Sequence, residues 1–309
     1  MDAMMDGVAE GFGLGQVVER VPVTGGLSND MWRLTTTVGD FAVKAMRAHA
    51  ENPDYRDNIE AAFAIEMNAY RAGVPCPEPL PTSDGNALLR DGGTWVRVHR
   101  WCNGAMPTRG TCLEDVGLLL AGIHRAGERS VGTLDDHPPG VDTWESLAEQ
   151  PGLPEAFAGR LRSAAPELAR LAAQTSAGPD LETPYADTHG DLDPKNALLS
   201  DDRLMAVDWD AAAPRSIFRE VVSVALDWAD GAEDFRRVLM AYAGSADSGP
   251  PAEPWVFGGW VASLIDWLVY NVEQRADTEL GQREASATCA RLLAFTRVLD
   301  EYVSVLDEV

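Results

Sequence analysis

The chain has little cysteine and no pattern in what it has. Cys76, Cys102, Cys112 and Cys289 show no CxxC spacing, which argues against a zinc ribbon or a disulfide framework and leaves reduced thiols used for packing. No apolar run reaches the ~20 residues that a bilayer span requires. The opening stretch "MDAMMDGVAEGFG" carries acids where a secretory signal needs a basic region, so the expected location is cytoplasmic. Positive charge is scarce: 25 Lys and Arg stand against 49 Asp and Glu, a net −24. Nucleic acid is therefore not an expected partner, because phosphate-backbone binding needs a basic face. Internal repeats and low-complexity tracts are absent, and nothing suggests an obligatory protein partner.

At 309 residues the chain can bury a sizeable core, and its 45% hydrophobic content is ordinary for a globular protein. Negative charge is uneven: residues 1–100 carry a net −5 and residues 101–309 carry −19. Two readings stand, solubility or a field that attracts a cationic small molecule, and charge alone does not choose between them.

The first hundred residues are strand-rich. "QVVERVPVTGG" and "MWRLTTTVGDFAVKAMR" hold β-branched and aromatic runs, with a hairpin turn predicted at Gly39–Asp40. "DYRDNIEAAFAIEMNAYRAG" has helical spacing of Ile59, Ala62, Phe63, Ala69 and Tyr70 and a stop at Gly73. "VPCPEPLP" is extended, since its prolines exclude a helix, and "NALLRDGGTWVRVHRW" reads as two more strands. From about residue 111 the pattern turns helical, over 112–128, 154–174, 217–231, 254–274 and 284–309. The expected architecture is α+β, with a small antiparallel β lobe and one helix (residues 1–101) followed by a larger helical lobe (102–309). A ligand site is expected in a cleft between them.

Chemistry concentrates in "THGDLDPKNALLSDDRLMAVDWD", residues 188–210. His189, Asp191 and Asn196 form an H-x-D-x-x-x-x-N spacing, and "LMAVDWD" reads as a strand running into Asp208 and Asp210. Phosphoryl transfer needs such a set: a carboxylate to orient the attacking hydroxyl and take its proton, and hard oxygen ligands for Mg²⁺ on the triphosphate. Divalent metal and a transferring phosphoryl group would offset the repulsion among these acids.

On these residues the chain resembles the aminoglycoside phosphotransferase/choline kinase-like family, whose fold is similar to that of protein kinases. The resemblance implies that Asp191 is the catalytic Asp and that Asn196 and Asp208 are metal ligands; Asp210, close by in sequence, is a candidate outer-shell partner. In "GDFAVKAMR" it makes Lys44 the lysine on the α/β-phosphates, paired with Glu66 or, as runner-up, Glu60. "GGLSND" resembles the nucleotide loop, with Gly26 and Ser28 near the phosphates, and "RVHRWCNG" the adenine hinge, Arg100, Trp101 and Cys102. His124 and His189 read as structural. The chain lacks a GxGxxG, and the residues after Asp208 are neither Phe-Gly nor part of an activation segment, so a protein substrate is disfavoured.

The implied activity is a small-molecule O-phosphotransferase using Mg²⁺ and ATP, or GTP. At the position where many protein kinases place a phosphate-steadying lysine stands Asp193. The expectation is that Asp193 contacts a cationic acceptor and Lys195 takes over phosphate stabilisation. Asp230, Asp266, Tyr270 and Glu273 lie among aromatics in the acidic helical lobe and are candidate acceptor contacts through ion pairing and cation–π attraction. An aminoglycoside or basic peptide antibiotic would fit them, making this a resistance enzyme. The alternatives are a metabolic kinase for homoserine, choline or a sugar amine, and a silent nucleotide-binding protein.

Overall fold

A computed structural model describes residues 2–23, 29–47, 52–201, 203–246 and 248–309. In chain order, the first elements are α1 (Asp2–Gly11), β1 (Val17–Val23), β2 (Asp30–Thr36), β3 (Gly39–Met46), α2 (Pro53–Arg71), β4 (Pro79–Leu80), β5 (Leu89–Asp91), β6 (Thr94–Arg100) and α3 (Leu113–Ala126). There follow β7 (Arg129–Leu134), α4 (Val141–Leu147), α5 (Glu155–Gln174), β8 (Leu181–Thr188), β9 (Ala197–Ser200), β10 (Arg203–Ala206) and β11 (Ala213–Ser216). The chain ends with α6 (Ile217–Trp228), α7 (Ala232–Ala243), α8 (Gly258–Gln274), α9 (Glu279–Phe295) and α10 (Leu299–Leu306). These elements gather into two compact units, residues 1–128 with 187–214, and residues 129–186 with 215–309. Where the sequence reading divided the chain at 101/102, the segment bearing Asp191 and Asp208 groups with the N-terminal residues.

In the first unit β1, β2, β3, β6 and β4 form an antiparallel sheet in that order, with β5 also paired to β6. Alternation along the strands sorts the two faces. Trp32, Leu34, Phe41, Val43, Val96 and Val98 make one face apolar, covered by Met5 and Val8 of α1, a helix the sequence reading did not anticipate, and by Phe12 just after it. Lys44 and Arg97 alternate onto the other face as register partners. Beside them, Met46 packs with Ile59 and Phe63 of α2. Helix α2 starts where the Asn52 side chain accepts from the Asp54 N–H, with Pro53 in the first turn. Its buried stripe is Ile59, Ala62, Phe63, Glu66 and Ala69, so a carboxylate sits within an otherwise apolar face.

The second unit is mainly helical, and β7 and β8 pair antiparallel. Its core is aromatic: Phe295 packs against Phe257, Trp260 and Tyr302, at centroid separations of 5.7, 4.8 and 5.8 Å. The helix expected over 284–309 is two, α9 and α10, and α4 and α7 add to those foreseen. Among the described residues no helix is long and apolar enough to cross a membrane.

One close approach ties this scaffold to the acidic segment. Gly127, just after α3, lies against the backbone of Asp187; a Cβ there would sit 2.0 Å from the Asp187 carbonyl oxygen. Gly127→Ala must therefore push the backbone that leads into residues 188–191. Such overpacking costs about 1–3 kcal/mol. A lowered melting temperature is the expected result, and an unchanged one would show that the backbone yields freely.

Candidate active site

The acidic loop is built by its own hydrogen bonds. Gly190 has φ +79°, a left-handed turn that glycine adopts without strain, and it delivers Asp191 next to a fully buried His189. The Asp191 N–H donates to His189 Nδ1 at 3.3 Å, which leaves Nε2 to donate to the Val207 carbonyl at 2.9 Å. The imidazole also packs on Trp209, at 4.7 Å between centroids. His189 thus pins the loop to the segment entering Asp208, the structural use the sequence suggested. A backbone bond from Val207 N–H to the Asn196 carbonyl, 2.9 Å, closes the same junction.

Asp191 and Asn196 meet directly. The Asn196 Nδ2 donates to Asp191 Oδ2 at 2.7 Å and to the Asp191 carbonyl at 2.8 Å. Burial, first, raises the Asp191 carboxyl above its ordinary 3.8, against the pull of Lys195. Asp193 caps the short 3-10 turn Pro194–Asn196: its Oδ1 accepts from the N–H groups of Lys195 and Asn196 at 3.0 and 3.2 Å. Its Oδ2 holds the Lys195 ammonium at 2.7 Å, and that ammonium lies 3.4 Å from Asp191 Oδ2. Both oxygens that were expected to meet a cationic acceptor are engaged within the loop.

Asp208 takes a left-handed backbone conformation, φ +63° and ψ +62°, uncommon for a residue with a side chain. Its Oδ1 lies 2.6 Å from Lys44 Nζ, and Asp210 Oδ2 lies 2.5 Å from the same ammonium. The expected Lys44–Glu66 pair is not the arrangement found. Glu66 Oε2 is 2.5 Å from Arg97 NH2 and its Oε1 is 3.0 Å from His99 Nε2. The other candidate, Glu60, accepts from the N–H groups of Ala87 and Leu88 at 2.7 and 3.0 Å. The reason is the register: Arg97 stands opposite Lys44 on the same sheet face, so Glu66 is engaged by the guanidinium while the lysine is met by Asp208 and Asp210. Arg97 NH1 also binds Asp210 Oδ1.

These cations overcome burial. Burial would raise the Asp210 carboxyl, yet Arg97 and Lys44 bring it down from 3.8 to about 2. Glu66 is likewise held below 4.5, burial being outweighed by His99 and Arg97.

Of the remaining candidates, Gly26 and Ser28 lie outside the described residues. Arg100, Trp101 and Cys102 close β6, where the Trp101 N–H donates to the Asp40 carbonyl at 3.0 Å and Arg33 lies over the Trp101 ring at 5.2 Å. Asp230, Asp266, Tyr270 and Glu273 belong to the second unit and are exposed. There Tyr270 stacks on Trp267 at 5.6 Å, and the Arg275 guanidinium already lies over both rings, 4.9 Å from Tyr270 and 5.8 Å from Trp267.

Among the described residues no group of three or more His, Cys, Asp and Glu side chains is arranged to hold a metal ion. The Asp208 carboxylate and the Asn196 amide nonetheless suit Mg²⁺, which takes one or two protein oxygens and completes its shell with phosphate and water.

Sequence reasoning missed Arg97 and His99. Their signal was the alternation Val96–Arg97–Val98–His99, which turns both polar side chains away from the apolar face. It also missed that the chain has only two lysines, Lys44 and Lys195, and that both lie against these acids.

Residues 19–255 match the sequence model of the phosphotransferase enzyme family, and the chain belongs to that family. Among proteins of similar sequence, the homoserine kinase of Acidiphilium cryptum is 26% identical over 203 residues, 62% of this chain and 59% of that one. The homoserine kinase of Granulibacter bethesdensis is 24% identical over 206 residues, 63% and 60%. The match thus spans about three fifths of these relatives' length. Among solved structures, spectinomycin phosphotransferase in complex with ADP and spectinomycin superposes with a TM-score of 0.68 at 12% identity, covering 96% of this chain and 98% of that one. The choline kinase LicA of Streptococcus pneumoniae gives 0.63 at 17%, covering 95% and 99%. The fold is therefore kinase-like.

The buried carboxylates give a pH prediction. Glu66 and Asp210 have folded-state values below those of the unfolded chain, so the stability they contribute is complete above an unfolded-chain pKa near about 4. It is lost as pH falls through the folded values, about 2 for Asp210. The urea midpoint should drop steeply between those limits, and less steeply in Asp210→Asn. Equal acid slopes in the two proteins would show that Asp210 is not held in this way.

Proposed function

We propose that the protein is a small-molecule kinase that transfers the γ-phosphoryl group of ATP, or GTP, to a hydroxyl of an amine-bearing acceptor. The observation that carries this reading is a single connected set: Asp191 joined to Asn196, Asn196 joined through Val207 to Asp208, and Asp208 joined to Lys44. In this reading Asp191 receives a hydrogen bond from the acceptor hydroxyl and takes its proton as the new P–O bond forms. Asn196 fixes the carboxylate through Oδ2, and burial makes Asp191 a stronger base than an exposed Asp. Asp208 and Asn196 would hold Mg²⁺, which when bound neutralises charge on the transferring phosphates. Lys44 turns from Asp208 to the α/β-phosphates, and Lys195 steadies the transferred group. Alignment and charge supply most of the rate gain in such a site.

The first unit would carry the nucleotide and the catalytic loop. Asp230, Asp266, Tyr270 and Glu273 are candidate acceptor contacts. Two acceptor classes follow. A polycationic antibiotic is supported by the −19 carried by residues 101–309. A small amino alcohol such as homoserine is supported by the sequence relatives, which are homoserine kinases.

The test is Mg²⁺-dependent phosphate transfer from ATP and GTP to a panel of aminoglycosides, basic peptides and amino alcohols. One class should turn over. Asp191→Ala should lower kcat by about 10²–10⁴-fold, the usual worth of a positioned base, while nucleotide affinity survives. Turnover of Asp191→Ala near the wild-type rate would contradict the assigned role.

A further inference from the structure

Lys44 and Arg97 are neighbours across β3 and β6, two cations on one face of one sheet. Arg97 is the more deeply buried, 2% exposed against 8% for Lys44. Its guanidinium holds two carboxylates: NH2 is 2.5 Å from Glu66 Oε2, and NH1 binds Asp210 Oδ1. The second oxygen of Asp210 goes to Lys44. An unbroken chain of ion pairs runs from Glu66 through Arg97, Asp210 and Lys44 to Asp208.

We propose that Arg97 is the positioning residue for Lys44. It acts through Asp210 to aim the ammonium and through Glu66 to fasten α2 to the sheet. The proposal rests on the reading of Lys44 as the phosphate ligand and adds to it the source of its orientation. Glu66 cannot supply that orientation, because Arg97 and His99 take both its oxygens, and Glu60 is committed to the backbone of Ala87 and Leu88. Asp208 is the weaker anchor, its side chain 46% exposed against 19% for Asp210, and it is the residue a metal would engage. Asp210, clamped from behind by Arg97, keeps its hold on the lysine when Asp208 turns to other work. Only a guanidinium suits this clamp: its planar fork reaches two carboxylates in fixed directions, which an ammonium on a flexible stem does not. The helix that carries Glu66 is likewise held to the sheet without any contribution from Lys44.

The test compares the full-length wild type with Arg97→Lys, Asp210→Asn and the double variant. Lysine scarcity gives a readout independent of turnover. The acylation rate of Lys44 by a small amine-reactive ester, in nucleotide-free protein, is followed by peptide mass spectrometry with Lys195 as the internal reference. The second readout is the Kd for Mg·ATP with the kcat and KM values of each substrate. Each single variant should speed Lys44 labelling relative to Lys195. Each should also lose roughly 10–100-fold in kcat/KM for ATP, the scale of losing a residue that orients a direct ligand, with the acceptor KM unchanged. The double variant should be no worse than the more damaged single, because both act along one path.

If Arg97→Lys does not fold, Asp210→Asn still decides, since it leaves the Arg97–Glu66 pair intact. A lowered melting temperature with wild-type labelling and wild-type Kd would mean a structural role only and would overturn the proposal. So would losses that multiply in the double variant. A wild type that neither binds Mg·ATP nor transfers phosphate would instead overturn the kinase reading, while the labelling comparison still decides what positions Lys44.

Discussion

The structure depends on how two adjacent buried cations are neutralised. The register of β3 against β6 sets Lys44 beside Arg97 on the sheet face away from the apolar core. Two unpaired positive groups there would be prohibitively costly, and removing one partner of such a buried pair typically costs about 3–5 kcal/mol. Carboxylates are supplied from two directions, Glu66 from α2 and Asp208 with Asp210 from the segment after β10. The same pairs that neutralise the cations therefore join helix, sheet and acidic loop into one unit. Fold and site share a single electrostatic solution.

The crowding of acids in residues 188–210 becomes intelligible on these terms. Four of these carboxylates have a local cation or donor: Asp193 has Lys195 and two N–H groups, Asp191 has Asn196, and Asp208 and Asp210 share Lys44. A chain with 25 basic residues uses lysine at only two of them, and both are here. A compact ammonium that can leave a carboxylate for a phosphate is a different tool from a planar guanidinium fixed between two acids. Lys44 and Arg97 divide the work along that line.

Much of this was legible in the sequence because short-range rules govern it. The Asp191–Asn196 spacing folds into one loop closed by a direct bond, and the helix expected over residues 54–73 is α2. The Lys44 partner was not legible. It follows from which strand lies beside β3, a long-range fact that places Arg97 where it engages Glu66. Asp193 looked like an acceptor contact because its charge is odd for that position. Its carboxylate instead caps the turn Pro194–Asn196, a role available to any Asp before such a turn. Tyr270 was read as a candidate acceptor contact, and Arg275, five residues further on, already lies over its ring and that of Trp267. Helix α1 escaped notice because its buried apolar residues, Met5, Val8 and Ala9, are too few to announce a helix without the sheet they cover.

The most direct measurement of the central claim is a crystal structure grown with Mn²⁺ and a non-hydrolysable ATP analogue, read by the anomalous signal of the metal. The predicted result is a peak bonded to an Asp208 carboxylate oxygen and the Asn196 amide oxygen, with Lys44 Nζ on a phosphate and Asp210 still bridging Lys44 and Arg97. A metal and triphosphate bound away from Asp208, with Lys44 still held between the two carboxylates, would contradict it.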